Sequence, residues 1–173
     1  MKNQTLFILC GEAFSGKSTL AKQIAERYDA KIVGRDEIYF ATEKILSLEN
    51  TPDKDDDALW RNLWPLVLQG VKNQLLLGNS VVVDDNSLFF KQRDELRAIA
   101  QQVGIKSILI YLDVPSKVLK ERKEQNKISQ ARHDVPSAWM DEDSGFFERP
   151  AKAEEPIIYT PDIGFDVFAK HIM

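Results

Sequence analysis

The chain has 173 residues, 43% of them apolar and 29% charged, with a formal net charge of −4. That size suits one soluble domain with its own core, and the acidic balance argues against a constitutive nucleic-acid binder, whose surface would be basic. A single cysteine, Cys10, excludes an internal disulfide; no run approaches the roughly 20 apolar residues that span a bilayer, so no membrane partner is expected.

"TLFILC" (Thr5–Cys10) reads as the first strand. It is apolar without alternation, as a strand buried on both faces of a parallel sheet would be. The apolar stretch of "MKNQTLFILCGEA" is too short for a signal peptide, and a buried, unreactive Cys10 thiol fits a reducing cytoplasm. The run stops at Gly11, and a helical pattern begins at Lys17 and continues to Tyr28. Between them, Gly11-Glu12-Ala13-Phe14-Ser15-Gly16-Lys17-Ser18 matches the phosphate-binding P-loop, G-x-x-x-x-G-K-[ST]. The glycines let backbone N–H groups converge on phosphate oxygens, and the helix N-terminus adds partial positive charge. Lys17 is expected to reach the β- and γ-phosphates and Ser18 to ligate Mg²⁺. The motif falls after a strand and before a helix, where its mechanism requires it. Gly11 through Ser18, with Thr19, form the expected ATP-binding set.

A second strand is predicted over 31–34, followed by a helix over about 37–48. The pair Arg35-Asp36 follows that strand at the carboxyl edge of the sheet, where open α/β sheets bind ligands. Asp36 suits a base for an acceptor hydroxyl and equally the N-cap of the next helix; Arg35 would hold an anionic part of substrate or product. Next come the acidic run Asp53 to Asp57, read as helix capping, and a helix over about 55–77 that Pro65 should kink or divide. Its Trp60, Leu63, Trp64, Val67, Leu68 and Val71 recur at core-facing spacing.

The third strand, over 80–85, ends in Asp84-Asp85-Asn86. Asp84 is the candidate Mg²⁺-shell carboxylate, while Asp85 and Asn86 would face the substrate or serve as turn residues. A helix over about 89–102, a strand over 106–114 and a helix over about 116–126 follow. Strands alternating with helices give an α/β fold with right-handed crossovers. The basic stretch from Lys117 to Arg132 suits a cationic lid over about 122–140, with Arg122 and Arg132 as its phosphate-stabilising candidates. The tail, about 148–173, reads as extended chain with a final short strand or helix. Asn126-Lys127-Ile128-Ser129 lacks the aspartate of N-K-x-D, which argues against a GTPase.

In this order, GxxxxGKS, strand-Arg-Asp, "VVVDDNSL…R" and "YLDVP…R", the chain resembles the small P-loop kinases of the AAA_33 type over roughly residues 6–140. That group includes the polynucleotide 5′-hydroxyl kinase domain and is akin to chloramphenicol phosphotransferase and the zeta-toxin kinases. The resemblance implies a P-loop NTPase three-layer α/β/α fold with a five-stranded parallel sheet and a small helical lid. It implies Asp36 as general base beside Arg35, Lys17 and Ser18 as ATP–Mg²⁺ groups, Asp85 as a substrate-site aspartate and Arg122 as the first lid arginine. Asn126 stands where such lids often carry a second arginine; either Arg132 replaces it, or transition-state charge is stabilised less well. The expected activity is ATP-dependent phosphorylation of a hydroxyl on a small molecule or nucleotide; a 5′-hydroxyl polynucleotide kinase and a non-catalytic ATP-binding module are the alternatives.

Overall fold

The computed structural model describes residues 4–48, 62–129, 145–160 and 162–172. Five parallel strands form one sheet: β1 (Thr5–Cys10), β2 (Ala30–Gly34), β3 (Ser80–Asp84), β4 (Lys106–Leu112) and β5 (Ile157–Tyr159), in the order β2-β3-β1-β4-β5. The connecting helices are α1 (Lys17–Tyr28), α2 (Arg35–Leu48), α3 (Trp64–Leu76), α4 (Phe90–Val103) and α5 (Ser116–Ser129), with a short α6 (Phe165–Phe168) after β5.

The apolar runs explain the layering. Leu6 to Cys10 are all buried, and alternate residues enter two cores. Leu6 and Ile8 join Val81 and Val83 under α3 and α4, whose Val67, Val71, Leu75, Leu96 and Ile99 cover that face. Phe7 and Leu9 join Val82 and Ile110 under Leu20, Ala21 and Ile24 of α1 and under Phe168 and Ile172 of the C-terminus. Each such aliphatic side chain contributes about 1.5–3 kcal/mol when fully buried. The result is three layers, α/β/α. β2 and β3 lie on one side of β1, and β4 and β5 on the other, so the carboxyl end of β1 lies at the switch point where ligands bind.

Several boundaries differ from the sequence reading. β3 ends at Asp84 and β4 at Leu112; Pro115 has no N–H to donate, and it leads into α5. α2 begins at Arg35, directly on β2, so Arg35 and Asp36 occupy a first helical turn. The helix is divided near Pro65 as expected: residue 62 is helical, Leu63 is a turn, and Pro65 lies in the first turn of α3, where its missing N–H costs nothing. α5 runs on to Ser129. The tail contributes the fifth strand. Asp53 to Asp57, Trp60 and much of the expected lid, including Arg132, lie outside the described residues.

Candidate active site

The loop between β1 and α1 is built by two glycines with different tasks. A β-carbon on Gly11 would lie 3.1 Å from both the Leu112 carbonyl oxygen and Ser15 Oγ, so only glycine lets the loop leave the sheet there. Gly16 has φ +103, a left-handed conformation that turns the chain into α1. Phe14, though not glycine, also has positive φ, at 63°. It holds that geometry because its ring is buried with Ala13 against Val114 and Leu119 at the start of α5. Phe14 and Ala13 therefore offer a ligand only their backbone, while their side chains fasten the loop.

Lys17 is 8% exposed, and its Nζ donates to the carbonyls of Gly11 (2.9 Å) and Glu12 (2.8 Å), with Ser15 Oγ at 3.5 Å. The ammonium thus curls over the loop at the N-terminus of α1, whose first amides have no partner within the helix. Ser18 hydrogen-bonds Asp84, at the end of β3. Thr19 is exposed beside the loop.

Gly34 brings the second group of residues to this loop. Its register partner across the sheet is Asp84, and an added β-carbon would meet the Asp84 carbonyl oxygen at 2.8 Å. The close approach sets Arg35 and Asp36 beside Asp84 and Asp85. Arg35 and Asp85 pair (Nε–Oδ2 3.2 Å, Nη2–Oδ1 3.4 Å), the first contact being ionic without hydrogen-bond alignment. The guanidinium also lies over the Trp64 ring, 5.4 Å from its centre. Trp64 Nε1 in turn donates to Glu95 (2.7 Å). Sequence reasoning assigned Trp64 to the core; it packs against the core and also forms the floor beneath Arg35. No local pattern announces that second task, nor the need for Gly34.

Carboxylates crowd this edge. Burial raises the Asp84 carboxyl, a Ser18 hydrogen bond and Lys17 oppose the rise, and Asp36 and Asp85 add to it. Glu37, the residue after Asp36, is raised by burial and by Asp84 and Asp36. Asp85 is buried, and besides Arg35 it accepts the N–H of Ser87 (3.2 Å). Asn86 turns its carbonyl toward the P-loop, accepting from Gly11 N–H at 3.1 Å. Cys10, behind the loop, has its thiol pushed by burial up to about 12, which makes it unreactive.

On the other side of the loop, a cavity of about 380 Å³ is lined by Gly16, Thr19, Gln23, Arg122, Asn126 and Tyr159, among others. Arg122 Nη1 donates to the carbonyls of Phe14 (3.0 Å) and Ser15 (3.1 Å). It therefore stands between the P-loop and this cavity. Asn126 is buried on the same helix.

The donor set fits a nucleotide with a divalent ion: a buried ammonium at a helix N-terminus for phosphate, and a serine hydroxyl joined to a carboxylate for Mg²⁺. Among the described residues, no cluster of three or more His, Cys, Asp or Glu side chains is placed to hold a metal unaided, and no helix is long and apolar enough to cross a membrane.

No curated protein sequence matches the chain. Solved structures do. The APS kinase CysC of Mycobacterium tuberculosis, in complex with AMPPNP and APS, superposes with TM-score 0.66 at 18% identity, over 99% of this chain and 96% of that one. A gluconokinase from Sinorhizobium meliloti 1021 gives 0.65 at 22% identity, over 98% and 90%. Kti12 from Chaetomium thermophilum, in complex with ADP-AlF3, gives 0.74 at 16% identity, over 96% of each chain. At these identities the likeness establishes the fold alone. The model of the AAA_33 family, described as an AAA domain, matches residues 6–150, and the chain belongs to that family.

Proposed function

We propose that this chain is an ATP- and Mg²⁺-dependent kinase that phosphorylates a hydroxyl group on a small molecule or nucleotide. One juxtaposition carries the reading: Asp36 lies two residues past Gly34, whose register partner across the sheet is Asp84, and Asp84 in turn reaches Ser18 of the P-loop. A module that merely held a nucleotide would need the loop and Asp84. It would have no use for a second carboxylate turned to the same edge.

Lys17 would exchange its carbonyl partners for phosphate oxygens. Ser18 and Asp84 would hold Mg²⁺, which when bound neutralises charge on the β- and γ-oxygens. Asp36 would orient the acceptor hydroxyl and take its proton as the new O–P bond forms and the bond to the β-phosphate oxygen breaks. Arg35, held by Asp85 and Trp64, marks the acceptor side. The cavity beside Arg122 and Tyr159 has room for the nucleoside, and the AMPPNP and ADP-AlF3 complexes of the structural neighbours support a nucleotide in such a site.

The test is a panel of sugars, nucleosides, hydroxyl antibiotics and 5′-hydroxyl oligonucleotides incubated with ATP, read as ADP release and labelled product. With the acceptor found, Asp36→Asn should lower transfer by about 100-fold or more while still binding ADP. Transfer at the wild-type rate would refute Asp36 as base. Binding of ATP with turnover of no compound would reduce the chain to a nucleotide-binding module, and selective labelling of oligonucleotides would identify the polynucleotide alternative despite the acidic balance.

A further inference from the structure

The loop that carries Asp85 and Asn86 is held from behind by a buried guanidinium. Arg93, in the first turns of α4, is 1% exposed. Its Nη1 donates to the carbonyls of Ser87 (2.9 Å) and Leu88 (3.2 Å). Its Nε and Nη2 grip the two oxygens of Glu154 at 2.8 and 2.9 Å. Arg97 also donates to Glu154 (2.5 Å), as does the N–H of Ala151 (3.0 Å). Glu154 lies in a 3-10 turn, Lys152–Glu154, beyond the 6–150 segment that the family model matches.

A guanidinium withdrawn from water needs a partner of opposite charge. The two-pronged geometry also fixes its plane, which a lysine could not do. Glu154 therefore sets both the charge and the orientation of Arg93, and the remaining nitrogen is left aimed at the loop. Ser87 has φ +47, a left-handed conformation uncommon for a residue with a side chain. It persists because its N–H is taken by Asp85 and its carbonyl by Arg93. The preceding carbonyl, that of Asn86, faces Gly11 N–H. Three successive carbonyls are thus engaged, that of Asn86 by the P-loop and those of Ser87 and Leu88 by Arg93, with Leu88 also accepting the Glu148 N–H at 3.0 Å.

We infer that Arg93 and Glu154 are positioning residues for phosphoryl transfer: the C-terminal segment, through Glu154, holds Arg93 so that it fixes Asp85 and Asn86 against the P-loop. The inference rests on the kinase reading of the site.

The experiment uses the full chain and three variants: Glu154→Gln, Glu154→Leu and the charge-free Arg93→Met/Glu154→Met. Amide exchange of Gly11 and Ser87 is followed by NMR, ADP affinity by titration, and KM and kcat with the acceptor found in the panel. In Glu154→Leu the two amides should exchange about 10-fold faster or more, while Val82 of β3 and Ile24 of α1 keep their rates and ADP affinity stays within about threefold. KM for the acceptor should rise more than KM for ATP. Glu154→Gln should fall between, since one oxygen still accepts from Arg93. The double variant removes the buried guanidinium together with its carboxylate and leaves only the partly exposed Arg97 without that partner, so it should fold and show the same loop exchange. Wild-type exchange at Gly11 and Ser87 in the folded double variant would overturn the inference, and so would uniform acceleration across the sheet. A wild type that phosphorylates nothing would refute the kinase reading, and the amide rates would still decide between a positioned and an unpositioned loop.

Discussion

Acid should unfold this protein partly through Glu154. Burial alone would raise its carboxyl, but the hydrogen bonds from Arg93 and Arg97 and from Ala151 N–H win, and hold it at about 2 against an ordinary 4.5. That difference is worth about 3 kcal/mol of folding free energy. Because the folded value is depressed, the contribution is complete above about 4.5 and is lost as pH falls from there toward 2. The assay is urea unfolding of wild type and Glu154→Gln in steps from pH 7 to pH 3. Arg93 stays charged throughout and the Cys10 thiol stays neutral. Glu148, which also faces Arg93, is present in both proteins and cancels in the difference. The stability gap should be about 3 kcal/mol at neutral pH and fall to about half by pH 3. A gap that holds constant, or widens on acidification, would refute the account of Glu154 as an ionised partner.

Gly34→Ala should force the ends of β2 and β3 apart, since its β-carbon would sit 2.8 Å from the Asp84 carbonyl oxygen. We expect a loss of about 1–3 kcal/mol, read by thermal unfolding, and an unchanged midpoint would show that the strand ends tolerate the extra atom. Phe14→Ala should remove the anchor of the P-loop on α5 and lower stability by about 3–5 kcal/mol. ADP affinity, measured by titration, should fall with it, and retained affinity would mean that the loop keeps its shape without the ring.

What was legible in the sequence was what depends on near neighbours along the chain. β1 and α1 were readable to the residue because an unbroken apolar run meets a motif whose glycines fix the turn. β5 was not: it is three residues long, partly exposed at the sheet edge, and lies between Pro156 and Pro161, so neither length nor alternation marks it. The direct junction of β2 and α2 escaped because helix propensity says nothing about a missing loop. Site residues followed the same division. Arg35, Asp36, Asp84 and Asp85 stand out because they follow apolar strands. That Arg35 pairs with Asp85, 50 residues away, and Arg93 with Glu154, 61 residues away, is a consequence of sheet order and has no local signature. The oligomeric state has no such signature either.

The crowding of carboxylates at the sheet edge has a thermodynamic consequence that separates a site from a scaffold. Asp84 is raised by burial and by Asp36 and Asp85, and Ser18 and Lys17 only partly offset this. Its folded value therefore exceeds its unfolded one, so the charged form opposes folding as pH rises through the folded value, and protonation relieves it. A chain selected for stability alone would carry an uncharged residue there. Asp84→Asn keeps the size and an oxygen acceptor for Ser18 while removing the charge. In the protein without ligands it should stabilise by on the order of 1 kcal/mol, the usual size of a single favourable change, and raise the midpoint of thermal unfolding. The same variant should lose the extra stability that Mg²⁺ with ATP gives the wild type, because the ion would lose its carboxylate. If Asp84→Asn instead destabilised the free protein at neutral pH, the aspartate would be a structural partner of Ser18 and Lys17, and its place in a metal-binding site would have to be abandoned.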